Sequence, residues 1–131
     1  MKTALFYPSP NTFEKVIGLT NRPIDKHNAR LPDNPRLELF SGLDLTKLDS
    51  VQQRLRKIPE IDRITHVYFT AYVGNLDDPE ELKRVNTEIL ENAITAVEVL
   101  CPNLQFWTLQ TGGKVNNWAI HLYLHPLTYP C

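Results

Sequence analysis

The sequence predicts one α/β domain with a parallel sheet of about four strands flanked by helices, and three observations support this fold class. Short apolar runs alternate with longer segments in which apolar residues recur at three- and four-residue steps. The chain has 131 residues and is 42% hydrophobic, which suffices for one core and not for two. No internal repeat or low-complexity stretch interrupts the pattern. We therefore expect a single domain over residues 1–131.

Four segments have the composition of buried strands. The first is the short apolar run 16–19, and the second alternates apolar and polar residues from Leu37 and is expected to end near Asp44. Residues 64–70 are rich in β-branched and aromatic side chains, which suit a central strand. Residues 104–109 form the last expected strand.

Two segments have the spacing of amphipathic helices. In the first, Thr46 is the expected N-cap, Asp49 follows three residues later, and Pro59 ends the helix. In the second, Asp78 is the N-cap and Pro79 occupies the first helical position. The residues expected on the buried faces are Leu48, Val51, Leu55 and Ile58 in the first helix and Leu82, Val85, Ile89, Ala93, Val97 and Leu100 in the second.

Composition excludes several classes of function. The formal net charge of −1, with no basic stripe, argues against nucleic-acid binding. There is neither a signal peptide nor a run of about eighteen apolar residues, which predicts a cytoplasmic protein that binds no membrane. The two cysteines, Cys101 and Cys131, lack the paired spacing of a metal site, so no metal is expected. Cys101 is interpreted as a packing residue at a helix end.

Four motifs occur along the chain in an order typical of one enzyme family, and together they are more specific than any one alone. The last of them is preceded by Cys101-Pro102-Asn103-Leu104. The motifs are residues 17–23, 43–45, 65–70 and 109–114. Over most of its length, from about Phe13 to Lys114, the chain resembles atypical short-chain dehydrogenases/reductases of the progesterone 5β-reductase and iridoid synthase (PRISE-like) family, which has many fungal members.

This resemblance implies a Rossmann fold, NADPH as the cofactor, and reduction of an enone or enal, in a fungal member within secondary-metabolite biosynthesis. Asn21 and Arg22 match the residues that meet the adenosine 2′-phosphate, a group that arginine suits. Asp44 and Leu45 match the adenine-side contact, and Lys114 matches the motif lysine beside the active site. The further cofactor contacts carried over are Ala71, Tyr72 and Gln110.

Plainer structural interpretations of these residues remain open. Arg22 precedes a proline and would also suit an exposed turn, and Asp44 would suit an Asx-turn. Lys114 alone would be a solvated lysine. His66 is interpreted as a strand residue with a satisfied hydrogen bond rather than a base. Asn86 resembles a recurrent helix residue of the superfamily, but a mid-helix asparagine also commonly binds a neighbouring loop.

Two parts of the family pattern are missing. Residues 6–12 contain no glycine, so the loop that holds the pyrophosphate is absent. Residues 2–5 resemble the start of a first strand, yet few residues separate Leu5 from Val16, and a parallel crossover needs about ten to twelve. We therefore expect an incomplete sheet in which this segment forms no strand, pairs unusually, or leaves an edge for another chain. After Lys114 the family's aromatic-glycine continuation and catalytic tyrosine region are also absent.

These losses predict weak or absent NADPH binding and no independent reductase activity. If the protein is active, its partner is a small-molecule substrate.

One alternative is a non-catalytic module that forms a homo-oligomer or binds a partner chain through an open sheet edge. Residues 37–40 or 118–124 would form that edge. Another is a cofactor-free isomerase or cyclase. A gene prediction that omits exons would explain the same losses, and sequencing the transcript tests it. The remnant pocket of the isomerase alternative comprises Thr70, Tyr72, Gln110 and Lys114.

Overall fold

The computed structural model describes residues 5–6, 9 and 12–110. Strands and helices follow one another in the predicted order, which confirms the α/β fold class. The strands are β1 (Val16–Leu19), β2 (Leu37–Phe40), β3 (His66–Phe69) and β4 (Phe106–Leu109), and the helices are α1 (Leu48–Arg56) and α2 (Pro79–Leu100), with a short 3-10 helix at Ile61–Arg63.

The described strands form two parallel pairs rather than one four-stranded sheet. β1 pairs with β2, with Val16 opposite Leu37, and β3 pairs with β4, with His66 opposite Phe106. Among the residues described, no backbone hydrogen bond joins one pair to the other. The described strands are therefore parallel, as predicted, but they form two two-stranded sheets instead of one sheet of four.

Both strand pairs pack on the same two helices. All four strands contribute partly buried side chains to one core cluster, namely Ile17, Phe40, Val67 and Trp107. The buried members of this cluster come from α1, α2 and the adjoining loops, and they are Leu43, Val51, Leu55, Ile58, Ala96, Val97 and Cys101. Burial raises the pKa of the Cys101 thiol, and its place in the core confirms the predicted packing role.

The second strand ends earlier than predicted, at Phe40 rather than near Asp44. Gly42 adopts the left-handed φ of +79°, and its N–H donates to the carbonyl of Asn21 at 3.0 Å. These features turn the chain out of the strand direction, so residues 41–44 form a loop. The third and fourth strands likewise begin later than expected, at His66 and Phe106.

The predicted N-cap of the first helix is wrong. Lys47 occupies that position without a side-chain cap, and the Thr46 hydroxyl instead donates to Asp44 Oδ1 at 2.7 Å. The start of α2 is confirmed, because Asp78 Oδ1 accepts a hydrogen bond from the Glu80 N–H at 3.0 Å and proline follows the cap. Ala96, which the prediction omitted, completes the buried face of α2.

The segment before β1 does not begin a strand where it is described. Leu5 and Phe6 are helical, so Leu5 is not part of a strand, and residues 2–4 lie outside the described residues. Leu5 is fully buried, and its carbonyl accepts a hydrogen bond from Arg36 Nη2 at 2.9 Å. In the described part of the chain, no helix combines the length and apolar character needed to cross a membrane.

Candidate functional site

The described candidate residues all lie just beyond the C-terminal ends of the strands. In open α/β sheets, ligands bind at this edge. Lys114, residues 111–113 of the same motif and residues 118–124 lie outside the described residues. The positions at the edge are Asn21 and Arg22 after β1, Asp44 and Leu45 after β2, Ala71 and Tyr72 after β3, and Gln110 after β4.

The loops after β1 and β2 are joined by backbone hydrogen bonds. The N–H of Gly42 donates to Asn21 and the N–H of Leu43 donates to Thr20, each at 3.0 Å. A Cβ atom at Gly42 would meet the guanidinium of Arg54 at 3.0 Å, so glycine suits both the backbone angle and the space. The segments that carry Arg22 and Asp44 are therefore held side by side.

Arg22 has a guanidinium that is free to bind an anion. The residue is exposed, and among the described residues no carboxylate pairs with it. The hydroxyl of Thr20 donates to the Arg22 carbonyl at 2.6 Å and so holds the turn in place. A guanidinium with unused donors forms strong charge-assisted hydrogen bonds to phosphate.

Asp44 combines an Asx-turn with an acceptor that remains accessible. Its Oδ1 accepts from the Thr46 hydroxyl at 2.7 Å and from the Thr46 N–H at 3.0 Å, while Lys47 Nζ lies 3.9 Å from Oδ2. The hydroxyl bond, then the amide bond and finally the Lys47 charge hold the pKa of this carboxyl below its ordinary value. Asp44 is therefore ionised at neutral pH, with Oδ2 available to a donor.

Replacing Thr46 by valine is expected to raise the pKa of Asp44 towards its ordinary value, because the larger of the two hydrogen bonds is lost. A lowered folded-state pKa stabilises the fold above the unfolded pKa, and this contribution is lost as pH falls through the folded value. Thr46→Val should therefore lose less stability on acidification than the parent. Carboxyl NMR titration measures the shift, and Thr87→Val, at an exposed position on α2, is the control. An unchanged Asp44 titration in Thr46→Val would contradict the assignment.

Two asparagines of α2 anchor the loops at this edge. Asn92 Nδ2 donates to the carbonyl of Leu45 at 2.9 Å. Asn86 Oδ1 accepts from the N–H of Val73, and its Nδ2 donates to the Val73 carbonyl, both at 2.9 Å. Of the interpretations left open for Asn86, the structure shows the hydrogen bonds to a neighbouring loop. Asn92 was not among the predicted residues, although its spacing of three residues from Ile89 and four from Ala96 places it on the buried face of α2.

The ends of β3 and β4 are tied together at the same edge. The N–H of Gln110 donates to the carbonyl of Phe69 at 3.0 Å, and the ring of Phe69 stacks on Trp107 at 5.9 Å. Ala71 and Tyr72 follow as exposed residues, and Tyr72 keeps 70% of its surface accessible. The carried-over side chains therefore face solvent where a ligand can reach them.

His66 is the first residue of β3 and so lies at the opposite end of the strand from the candidate residues. Its Nδ1 is 2.9 Å from the Thr65 hydroxyl, and its ring contacts the rings of Phe13 at 5.1 Å and Phe106 at 5.8 Å. This environment confirms the structural interpretation of His66 as a strand residue with a satisfied hydrogen bond. Within the described residues, no three His, Cys, Asp or Glu side chains are grouped as a metal site would require.

Parallel strand pairs, helices that cover them, and accessible polar residues at the carboxyl ends of the strands are the features of a Rossmann-like domain. Sequence comparison agrees, because residues 4–129 match the PRISE-like Rossmann-fold domain. The chain belongs to this PRISE-like family of Rossmann-fold proteins.

Its relatives include fungal and plant proteins. The chain is 42% identical over 128 residues to the short chain dehydrogenase ausT of Aspergillus calidoustus, covering 94% of this chain and 31% of that protein. It is 40% identical over 116 residues to the short chain dehydrogenase sirQ of Leptosphaeria maculans, covering 86% and 30%. It is 29% identical over 119 residues to the (S)-8-oxocitronellyl enol synthase ISY1 of Nepeta racemosa, covering 87% and 28%. The chain thus spans less than a third of each relative.

Proposed function

We propose that this chain carries the adenosine-binding half of an NADPH site of a PRISE-like short-chain dehydrogenase and that alone it reduces no enone or enal. The exposed guanidinium of Arg22, with no carboxylate partner in the described residues, is the observation that carries the proposal. It lies on a turn that two backbone hydrogen bonds hold beside the Asp44 loop. Relatives named short chain dehydrogenases and the Rossmann fold support a nicotinamide cofactor.

The described residues fit the adenosine end of the cofactor. Arg22 and Asn21 would hold the 2′-phosphate, and Asp44 Oδ2 would accept a hydrogen bond from the adenine amino group beside Leu45. Bound NADPH supplies a hydride. Residues 6–12 contain no glycine, so this segment itself offers no glycine turn for the pyrophosphate. Weak binding, dominated by the adenosine end, follows from this combination.

A cofactor fragment without a pyrophosphate tests the adenosine site by itself. Adenosine 2′,5′-bisphosphate carries the 2′-phosphate, and adenosine 5′-monophosphate is the same nucleoside without it. NMR titration should show tighter binding of the bisphosphate, because only this ligand offers a phosphate to Arg22. Lys114 and a small-molecule substrate stay predictions, since this lysine lies outside the described residues.

Replacing Arg22 by alanine is expected to weaken binding of the bisphosphate roughly tenfold and to leave the monophosphate unchanged, because an exposed charge-assisted contact is lost. Arg56→Ala, in the last turn of α1, removes an equal charge outside the loops of the site and should change neither affinity. Equal affinities of the protein for the two ligands would refute the adenosine site. An Arg22→Ala variant that binds the bisphosphate as tightly as the parent would refute it as well. Turnover of an enal with NADPH would refute the proposed lack of activity.

A further inference from the structure

The guanidinium of Arg54 lies against Gly42, in the loop that follows β2. A Cβ atom at Gly42 would be 3.0 Å from Arg54 Nη2 and 3.2 Å from Arg54 Cζ, so the guanidinium occupies the space that a side chain would take. Gly42 also has the left-handed φ of +79°, which glycine adopts readily. The loop after β2 therefore holds a cation that comes from α1.

The position of Arg54 in α1 explains how its side chain reaches this loop. The helix begins at Leu48, shortly after the Asp44 loop, and Arg54 lies about two turns further on. The Cα–Cβ bonds of a helix tilt towards its N-terminus, so a long side chain lies over the turn that precedes it. The Arg54 side chain is thereby directed back towards the loops of the candidate site.

Gly42 also connects Arg54 to the loop after β1. The Gly42 N–H donates at 3.0 Å to the carbonyl of Asn21, which belongs to the peptide group between Asn21 and Arg22. These contacts and standard bond lengths place Arg54 Nη2 no more than roughly 9 Å from that carbonyl oxygen. Gly42 is thus in contact with both the peptide group of Arg22 and the guanidinium of Arg54.

Both arginines have hydrogen-bond donors that are not in use. Arg22 and Arg54 are exposed, and the ion pairs of the described residues include neither of them. Lys47, by contrast, lies 3.9 Å from Asp44 Oδ2. Two unpaired cations on adjoining segments attract an anion of more than one charge, and a phosphate monoester carries about −1.5 to −2 at neutral pH.

We propose that Arg54 is a second phosphate-binding residue of the adenosine site and that, together with Arg22, it selects nucleotides that carry a 2′-phosphate. This inference rests on the proposed function, because it adds a second cation to the same site. The two guanidinium groups come from different elements, so each offers its donors to different oxygens of one phosphate. Gly42 leaves the room that Arg54 needs. A nucleotide without the 2′-phosphate gains nothing from Arg54.

Titration of the full chain with adenosine 2′,5′-bisphosphate and adenosine 5′-monophosphate, followed by NMR, tests this role. Arg54→Gln should weaken binding of the bisphosphate roughly tenfold and leave binding of the monophosphate unchanged. Arg54→Lys should bind the bisphosphate with an affinity between those of the parent and Arg54→Gln, because lysine keeps the charge and lacks the planar fork. Arg56→Gln removes the same charge from the same helix and should bind both ligands as the parent does.

Phosphorus NMR of the bound bisphosphate separates a direct contact from a structural role. Binding should shift the resonance of the 2′-phosphate, and Arg54→Gln should reduce that shift without altering the resonance of the 5′-phosphate. The double variant Arg22→Ala/Arg54→Gln should bind the two ligands with nearly equal affinity, because it has lost both cations. Thermal unfolding of Arg54→Gln should match that of the parent, since the side chain is exposed.

Each contrary result separates the role of Arg54 from the adenosine site. If Arg22→Ala weakens binding of the bisphosphate and Arg54→Gln does not, the adenosine site stands and the role of Arg54 is wrong. If Arg54→Gln weakens binding of both ligands equally, Arg54 does not recognise the 2′-phosphate, which also overturns its role. If the parent binds both ligands equally, the adenosine site itself fails, and the role of Arg54 fails with it.

Discussion

Replacing Leu55 by alanine should lower the free energy of unfolding by about 2–5 kcal/mol, because it leaves a cavity where the helices meet the sheet. Leu55 is 3% exposed and belongs to the core cluster that holds both strand pairs. The loss is a large part of the stability of a small domain. Urea unfolding followed by circular dichroism measures it.

A substitution on α2 provides the matched control for that prediction. Val99 is 61% exposed, so Val99→Ala should change the free energy of unfolding by no more than about 0.5 kcal/mol. If Leu55→Ala and Val99→Ala lower the free energy of unfolding equally, the placement of Leu55 in a buried core cluster is wrong.

Replacing Asn86 by leucine should destabilise the protein by roughly 1–3 kcal/mol and release the loop after β3, because both backbone groups of Val73 lose their partner. Thermal unfolding measures the stability, and hydrogen exchange of the Val73 amide measures the loop. The amide should exchange faster in the variant than in the parent.

The aspartate variant separates the bonds that Asn86 makes. Asn86→Asp keeps an acceptor for the Val73 N–H and loses the donor to the carbonyls of Val73 and Leu82. It should protect the Val73 amide better than Asn86→Leu does. Equal exchange of this amide in the parent and in Asn86→Leu would contradict the anchoring role.

Sequence patterns predicted the start of a helix correctly where the interactions that start it involve only residues close together in the sequence. The cap at Asp78 and the proline after it mark the start of α2, because both act within one helical turn. The cap predicted at Thr46 fails, because its hydroxyl binds Asp44 behind it instead of an amide ahead. Two local bonds compete for one side chain there, and the pattern alone did not distinguish them.

The sequence predicted where the candidate site lies, but it did not predict the hydrogen bonds that hold the loops of the site. Residues that follow successive parallel strands, such as Arg22 and Asp44, lie at the same end of the strands because parallel strands run in one direction. The bond from Asn92 to Leu45 joins residues 47 positions apart, and no periodicity encodes that pairing. The asparagines that anchor the loops could therefore be identified only from the position of α2 in the folded protein.

Apolar periodicity, helix caps and connection lengths predicted the class of the domain, the parallel direction of its strands and the candidate residues that follow them. The pairing of the described strands, β1 with β2 and β3 with β4 in two separate sheets, became visible only in the tertiary structure. The tertiary structure also showed that Asn86 and Asn92 hold the loops. Strand pairing and the anchoring hydrogen bonds join residues that are far apart in the sequence. These residues come within bonding distance only when the chain has packed, so local sequence patterns do not specify the pairs.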